Sequence, residues 1–131
     1  MAQLVCPVRG CGRRLERSGP AFRCPRGHSF DVARSGYVNL LQPQDRRSRE
    51  PGDSRAAVEA RRRLTDAGHD AWMVGPILEE LDGTAREAGP PAVLDLGCGE
   101  GFLLGSLAKA RTLDAAGADI SIPAIELAAK R

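Results

Sequence analysis

The sequence predicts an α/β chain in two unlike parts. A small cysteine-rich module comes first and a strand, glycine turn and helix come last, with a helical stretch between them. Three observations carry this. Cys6, Cys11, Cys24 and His28 fall as two close pairs within the first 28 residues. Gly97, Gly99 and Gly101 follow a short apolar run that contains the acid Asp95. The charge is also divided. Residues 1–63 carry 14 arginines against 6 carboxylates, and residues 64–131 carry 5 basic against 11 acidic side chains, so a net +2 conceals +8 and −6.

Composition narrows the classes. The 131 residues suit one average domain or two small ones, and 42% hydrophobic content argues against wholesale disorder. Five aromatic residues argue against a large core. No apolar run approaches the ~18 residues a membrane span needs, so no membrane association is expected. Residues 1–13 lack the apolar stretch and cleavage site of a signal peptide. The expected location is therefore cytoplasmic, where reduced thiols are the rule.

The first part reads Cys6-x4-Cys11-x12-Cys24-x3-His28, which is zinc-site spacing. Pro7, Gly10 and Gly12 supply turn residues at the first pair, and Pro25 and Gly27 do so at the second. The alternatives are a small loop with an exposed histidine, or a Cys6–Cys11 disulfide. Alternation around Ser18-Gly19-Pro20 predicts two short strands, over 14–17 and 21–23, with a third over 29–32. A module this small does not fold on apolar burial alone. Four protein ligands leave no open coordination position, so the zinc is expected to be structural.

Residues 42–54, QPQDRRSREPGDS, read as a polar basic loop. Arg46, Arg47 and Arg49 there are either solvated or in contact with a nucleic-acid backbone. Asp53 or Ser54 caps a helix to about Ala67, with Gly68 as its stop and Ala57, Leu64 and Ala67, beside Val58, as its apolar stripe. A second helix lies within 70–88, with Val74, Ile77, Leu78, Leu81, Ala85 and Ala88 on one side and its start at or before Pro76. Trp72 is expected to pack.

Residues 92–96 form an apolar strand that runs into Gly97-Cys98-Gly99-Glu100-Gly101, and a helix follows to about Ala110. This begins a nucleotide-binding α/β unit. A pyrophosphate is poorly matched to Asp95 and Glu100, and a cation is well matched. S-adenosylmethionine carries an ammonium and a sulfonium and no phosphate. The lysine of a P-loop is absent. A second strand over 113–118 ends at Asp119, whose carboxylate can accept from both ribose hydroxyls. Ser121 and Pro123 open a last helix over 124–131. Cys98 reads as a small loop residue.

Taken together, the run CPRGHSFDVARSGYVNLL, the basic segment RSREPGDS, the helix end RRRLTDAGH, the loop VLDLGCGEG and the ADIS segment resemble the 23S rRNA (guanine-N1)-methyltransferases, a group that includes macrolide-resistance enzymes. The resemblance covers nearly the whole chain but only the N-terminal portion of such an enzyme. It implies a zinc-ribbon or knuckle module over 1–41 that recognises an rRNA hairpin, a connector over 42–90, and the first βαβ portion of a class I, Rossmann-like methyltransferase domain over 91–131. It implies zinc on Cys6, Cys11, Cys24 and His28. It also implies S-adenosylmethionine on Asp95, Gly97, Gly99 and Asp119, in a loop that includes Cys98, Glu100 and Gly101. The first knuckle departs from the family's C-x2-C, because Arg9 holds the usual second position and Cys11 lies two residues further on. The class I sheet has seven strands, and two are found here. The 131 residues are therefore expected to be inactive alone, no residue stands out as the catalytic base, and homodimerisation is left open. A rival from another class is a non-catalytic, zinc-dependent RNA-binding module with a decayed methyltransferase half.

Overall fold

The structure is a computed structural model that describes residues 3–84 and 89–131. Ala85 and Ala88 of the expected second helix lie outside the described residues. The first part holds an antiparallel sheet of three short strands, β1 (Glu16–Ser18), β2 (Ala21–Arg23) and β3 (Ser29–Asp31), in sequential order. Gly19 turns β1 into β2 with φ +60°, a conformation open to a residue without Cβ. Cys6, Leu15, Cys24 and Phe30 are buried together, and Leu4, Val8, Phe22, Val38 and Leu40 pack around them. This core is closed on its own residues.

A loop with a single 3-10 turn (Pro43–Asp45) leads to helix α1 (Arg55–Asp66). Ser54 caps it by accepting the N–H of Ala57, and Gly68 follows its end with φ +86°. The buried face differs from the expected stripe. Val58 and Thr65 are buried, whereas Ala57, Leu64 and Ala67 are exposed. These two positions lie seven residues apart, two helical turns, and the polar Thr65 finds hydrogen-bond partners inside. A 3-10 turn (Ala71–Met73) precedes helix α2 (Val74–Thr84). Val74, Ile77, Leu78 and Leu81 form its half-buried side. Trp72 is 73% exposed, contrary to the expectation that it packs.

Strands β4 (Ala92–Leu96) and β5 (Asp114–Ala118) pair in parallel, with Asp95 opposite Gly117 and Leu96 opposite Ala118. Helix α3 (Phe102–Ala110) joins them and packs on β5 and α2. Leu107 of α3 is fully buried. After β5, Ser121 caps α4 (Ile122–Ala128) by accepting the N–H of Ala124, so the last helix begins two residues earlier than the sequence suggests. Helix α4 packs on α1, and Arg55 pairs with Glu126 at 2.7 Å. One face of β4 is bare, with Leu94 63% and Leu96 75% exposed. Among the described residues no helix is long and apolar enough to cross a membrane.

Candidate metal centre and glycine-turn site

The two cysteine pairs sit on tight turns that face each other. The N–H of Cys11 donates to Val8 O at 2.9 Å, and the N–H of Gly27 donates to Cys24 O at 2.9 Å. Arg26 ties the turns together by donating to Gly10 O at 2.7 Å. The ligand atoms of Cys6, Cys11, Cys24 and His28 all lie within 4.8 Å of one another. Cys11 Sγ is 3.8 Å from Cys24 Sγ. His28 Nδ1 is 3.3 Å from Cys6 Sγ and 3.4 Å from Cys24 Sγ. Tetrahedral zinc with the usual bond lengths requires edges of about 3.8 Å between sulfurs and about 3.5 Å between sulfur and nitrogen. The residues therefore fit zinc, and the spacing of Cys11, with its longer turn, is accommodated. Burial acts to raise the Cys24 thiol, but backbone hydrogen bonds from His28 and Arg26 outweigh it and bring the pKa down to about 7. A thiolate accessible at neutral pH is the ligand form of cysteine. All four cysteines are free thiols, so no Cys6–Cys11 disulfide forms.

The glycine turn is pinned to the end of the parallel pair. The N–H groups of Gly97 and Cys98 both donate to Ala118 O, at 2.7 and 3.1 Å. Asp119 then spans the turn. Its Oδ2 accepts the Gly99 N–H at 2.8 Å and its Oδ1 accepts the Ser121 N–H at 2.7 Å. Gly97 (φ +82°) and Gly99 (φ +56°) face open space where a Cβ would stand. The backbone of the turn is thus held from behind and bare in front, as close approach by a ligand requires. Burial raises the Asp95 pKa, and the nearby Asp119 charge raises it further. The two carboxylates border separate clefts that meet at Gly97, and together they favour a cationic guest there.

Two clefts meet at Gly97. One, of about 480 Å³, lies between α1 and the turn and is lined by Arg61, Asp70, Met73, Asp95 and Gly99 among others. The other, of about 580 Å³, is lined by Leu41, Gly52, Asp53, Ala118, Asp119 and Ile120. Each falls within the range of small-molecule sites. Sequence reasoning missed Leu41, Asp53 and Ile120, which come from separate stretches of the chain and meet only in the fold. A further apolar cleft of about 320 Å³ joins Leu4, Val38 and Leu40 of the first module to Asp119, Ile120 and Ile125, with Arg46 at its edge.

Three residues of the turn also serve the framework. Cys98 is 8% exposed, and a Cβ on Gly117 would stand 2.9 Å from its sulfur. Burial, then the charges of Asp119 and Asp95, push its thiol up to about 11. Glu100 borders the first cleft, yet both of its oxygens have partners in Thr65 and Arg131. Gly101 (φ +80°) begins α3 against α4, where an added Cβ would stand 3.1 Å from Ala128 Cα. Arg46, Arg47 and Arg49 are exposed. Arg9 reaches across to Asp45 at 3.0 Å, so the basic loop is tied to the first module.

Comparison with known proteins gives the kinship. Residues 4–49 match the zinc-ribbon family described as RlmA, N-terminal. The chain is 41% identical over 133 residues to a 23S rRNA (guanine(748)-N(1))-methyltransferase of Streptomyces fradiae, a match that covers 97% of this chain and 44% of that protein. It is 35% identical over 147 residues to a putative 23S rRNA (guanine-N(1)-)-methyltransferase of Micromonospora griseorubida, covering 99% and 48%. The chain spans about half the length of the curated relatives it matches.

Proposed function

We propose that this chain, kin along nearly all its length to 23S rRNA (guanine-N1)-methyltransferases, forms the RNA-recognising and cofactor-binding part of an enzyme that methylates guanine N1 in 23S rRNA. Residues 1–41 are the zinc-bound RNA-recognition module, 42–90 the basic loop and helical connector, and 91–131 the first βαβ portion of the methyltransferase domain. Cys6, Cys11, Cys24 and His28 hold a structural zinc. Its reaction site is cytoplasmic rRNA, and the exposed Arg46, Arg47 and Arg49 contact the backbone of an RNA hairpin.

The observation that carries this reading is the open turn at Gly97 and Gly99, framed by Asp95 and by an Asp119 already held by the Gly99 N–H. Asp119 accepts from the ribose hydroxyls with the lone pairs its backbone donors leave free. Asp95 balances the ammonium of S-adenosylmethionine. Gly97 and Gly99 present backbone, while Cys98, Glu100 and Gly101 keep that backbone in shape. When bound, S-adenosylmethionine supplies an electrophilic methyl on sulfonium. The fixed turn would hold that end of the cofactor in one orientation, and positioning of this kind carries much of the rate of a methyl transfer. The 131 residues are expected to bind the cofactor weakly and not to turn over.

Calorimetry of S-adenosylmethionine with the zinc-loaded chain tests the reading. Binding is expected in the wild type and should be lost in Asp119→Ala. No binding by the wild type would overturn it. The second reading, a zinc-dependent RNA-binding module without catalysis, draws on the closed core around Phe30. It predicts salt-dependent RNA binding that chelation abolishes and that S-adenosylmethionine leaves unchanged.

A further inference from the structure

We propose that Glu100 is a positioning residue for the glycine turn, clamped between Thr65 of α1 and Arg131, and that this clamp gives Gly97 and Gly99 the shape that receives the cofactor. The inference rests on the reading of the turn as the cofactor site.

Glu100 is 3% exposed. Its Oε1 lies 3.2 Å from Thr65 Oγ1, and its Oε2 accepts from Arg131 Nε at 2.8 Å and stands 2.7 Å from Arg131 Nη2. The same guanidinium reaches Asp66 at 2.9 Å and lies 5.7 Å from the ring centre of Phe102, the first residue of α3. The clamp therefore joins α1, the start of α3 and the stretch after α4. A carboxylate this deeply buried is tolerated only when paired, and both of its oxygens are. At 3% exposure it presents almost no surface to a ligand cation.

The neighbouring Gly101 leaves no room for a side chain against Ala128. Residues 100 and 101 are thus fixed by ion pair and by packing, while Gly97 and Gly99 stay open in front. Backbone donors held rigid before the ligand arrives lose less freedom on binding. Thr65 and Glu100 themselves border the cleft that Arg61 and Asp95 line, so the clamp lies at its wall.

The test is calorimetric titration of S-adenosylmethionine at 10 °C into the zinc-loaded chain, with thermal midpoints measured in parallel. Glu100→Gln and Arg131→Ala are expected to weaken binding roughly tenfold, because a buried charged hydrogen bond is lost in each. Arg131→Lys, which keeps a cation beside Glu100, should stay within about threefold of the wild type. Amide hydrogen exchange at residues 97–101 of the ligand-free chain should quicken in the two disruptive variants and not in Arg131→Lys. Should either disruptive variant fail to fold, Thr65→Val decides the matter by a smaller loss of affinity, with Arg131→Lys as the reference that stays near the wild type. Lowered midpoints with unchanged affinity would show a merely structural pair and overturn the inference, leaving the cofactor reading intact. No binding by the wild type would overturn both.

Discussion

The zinc module and the βαβ unit solve the problem of a small core in opposite ways. The module gathers its buried core from its own residues. Cys6, Leu15, Cys24 and Phe30 are buried with satellites from residues 4–40, and four ligand atoms converge at the centre. The βαβ unit packs α3 against β5, while β4 shows Leu94 and Leu96 to solvent. A parallel sheet is ordinarily covered on both faces. Metal coordination substitutes for apolar burial in the first region, whereas the second depends on long-range polar ties, such as Ser121 Oγ donating to Asp53 O at 2.7 Å.

Chelation is the sharpest way to break this contrast. Zinc supplies about 10–16 kcal/mol of apparent folding free energy in finger peptides. Stripping it should unfold residues 4–40 and leave β4, β5 and α3 protected in amide hydrogen exchange. Joint loss of both sets would show that the two regions fold as one. Next in size is Asp119→Ala. It removes the acceptor for the Gly99 and Ser121 N–H groups, at about 1–3 kcal/mol of stability by chemical denaturation. Affinity for S-adenosylmethionine should fall with it, and zinc content should not.

Gly117→Ala probes the packed side of the sheet. Its Cβ would stand 2.9 Å from Cys98 Sγ and 3.1 Å from Leu104 Cδ1, an overpacking worth about 1–3 kcal/mol. Leu96→Lys probes the bare side and should change stability by less than about 0.5 kcal/mol by chemical denaturation.

The smallest effect concerns Asp95. Burial and the Asp119 charge raise its pKa in the folded chain, so its ionised form opposes folding at neutral pH. Asp95→Asn should raise stability by a few tenths of a kcal/mol, a figure reduced by solvent screening, while weakening cofactor binding. The gain should disappear as pH falls and the wild-type carboxyl is protonated, which a pH series of denaturation midpoints would check.

What was legible in the sequence follows from how local its cause was. The three short strands, the Ser54 cap, the Gly68 stop and the strand into the glycine turn are each decided within a few residues, and they stand where expected except that the first strand is shifted to Glu16–Ser18, which takes Ser18 out of the turn. The zinc ligands were legible because metal geometry imposes a spacing. The buried face of α1 was not, since Thr65 goes inside to meet a carboxylate 35 residues away. The pairing of Glu100 with Arg131 was not legible either, because the two are 31 residues apart and leave no periodic trace. Trp72 looked like core because large aromatics usually are, yet no element covers it among the described residues.

The tie between Ser121 and Asp53 also orders events in time. Gly52 sits so close that a Cβ there would stand 2.8 Å from Ser121 Cβ, and the two residues bonded by this tie are 68 positions apart. Contacts inside the first module span far shorter separations, 22 between Cys6 and His28. As the chain leaves the ribosome, the first module can close while the rest is still being made. The Gly52–Asp53 end of the arginine loop cannot take its final place until Ser121 has emerged to receive it. A growing chain would thus carry a finished metal module ahead of a still loose basic strand, for the few seconds that about 70 further residues take to synthesise.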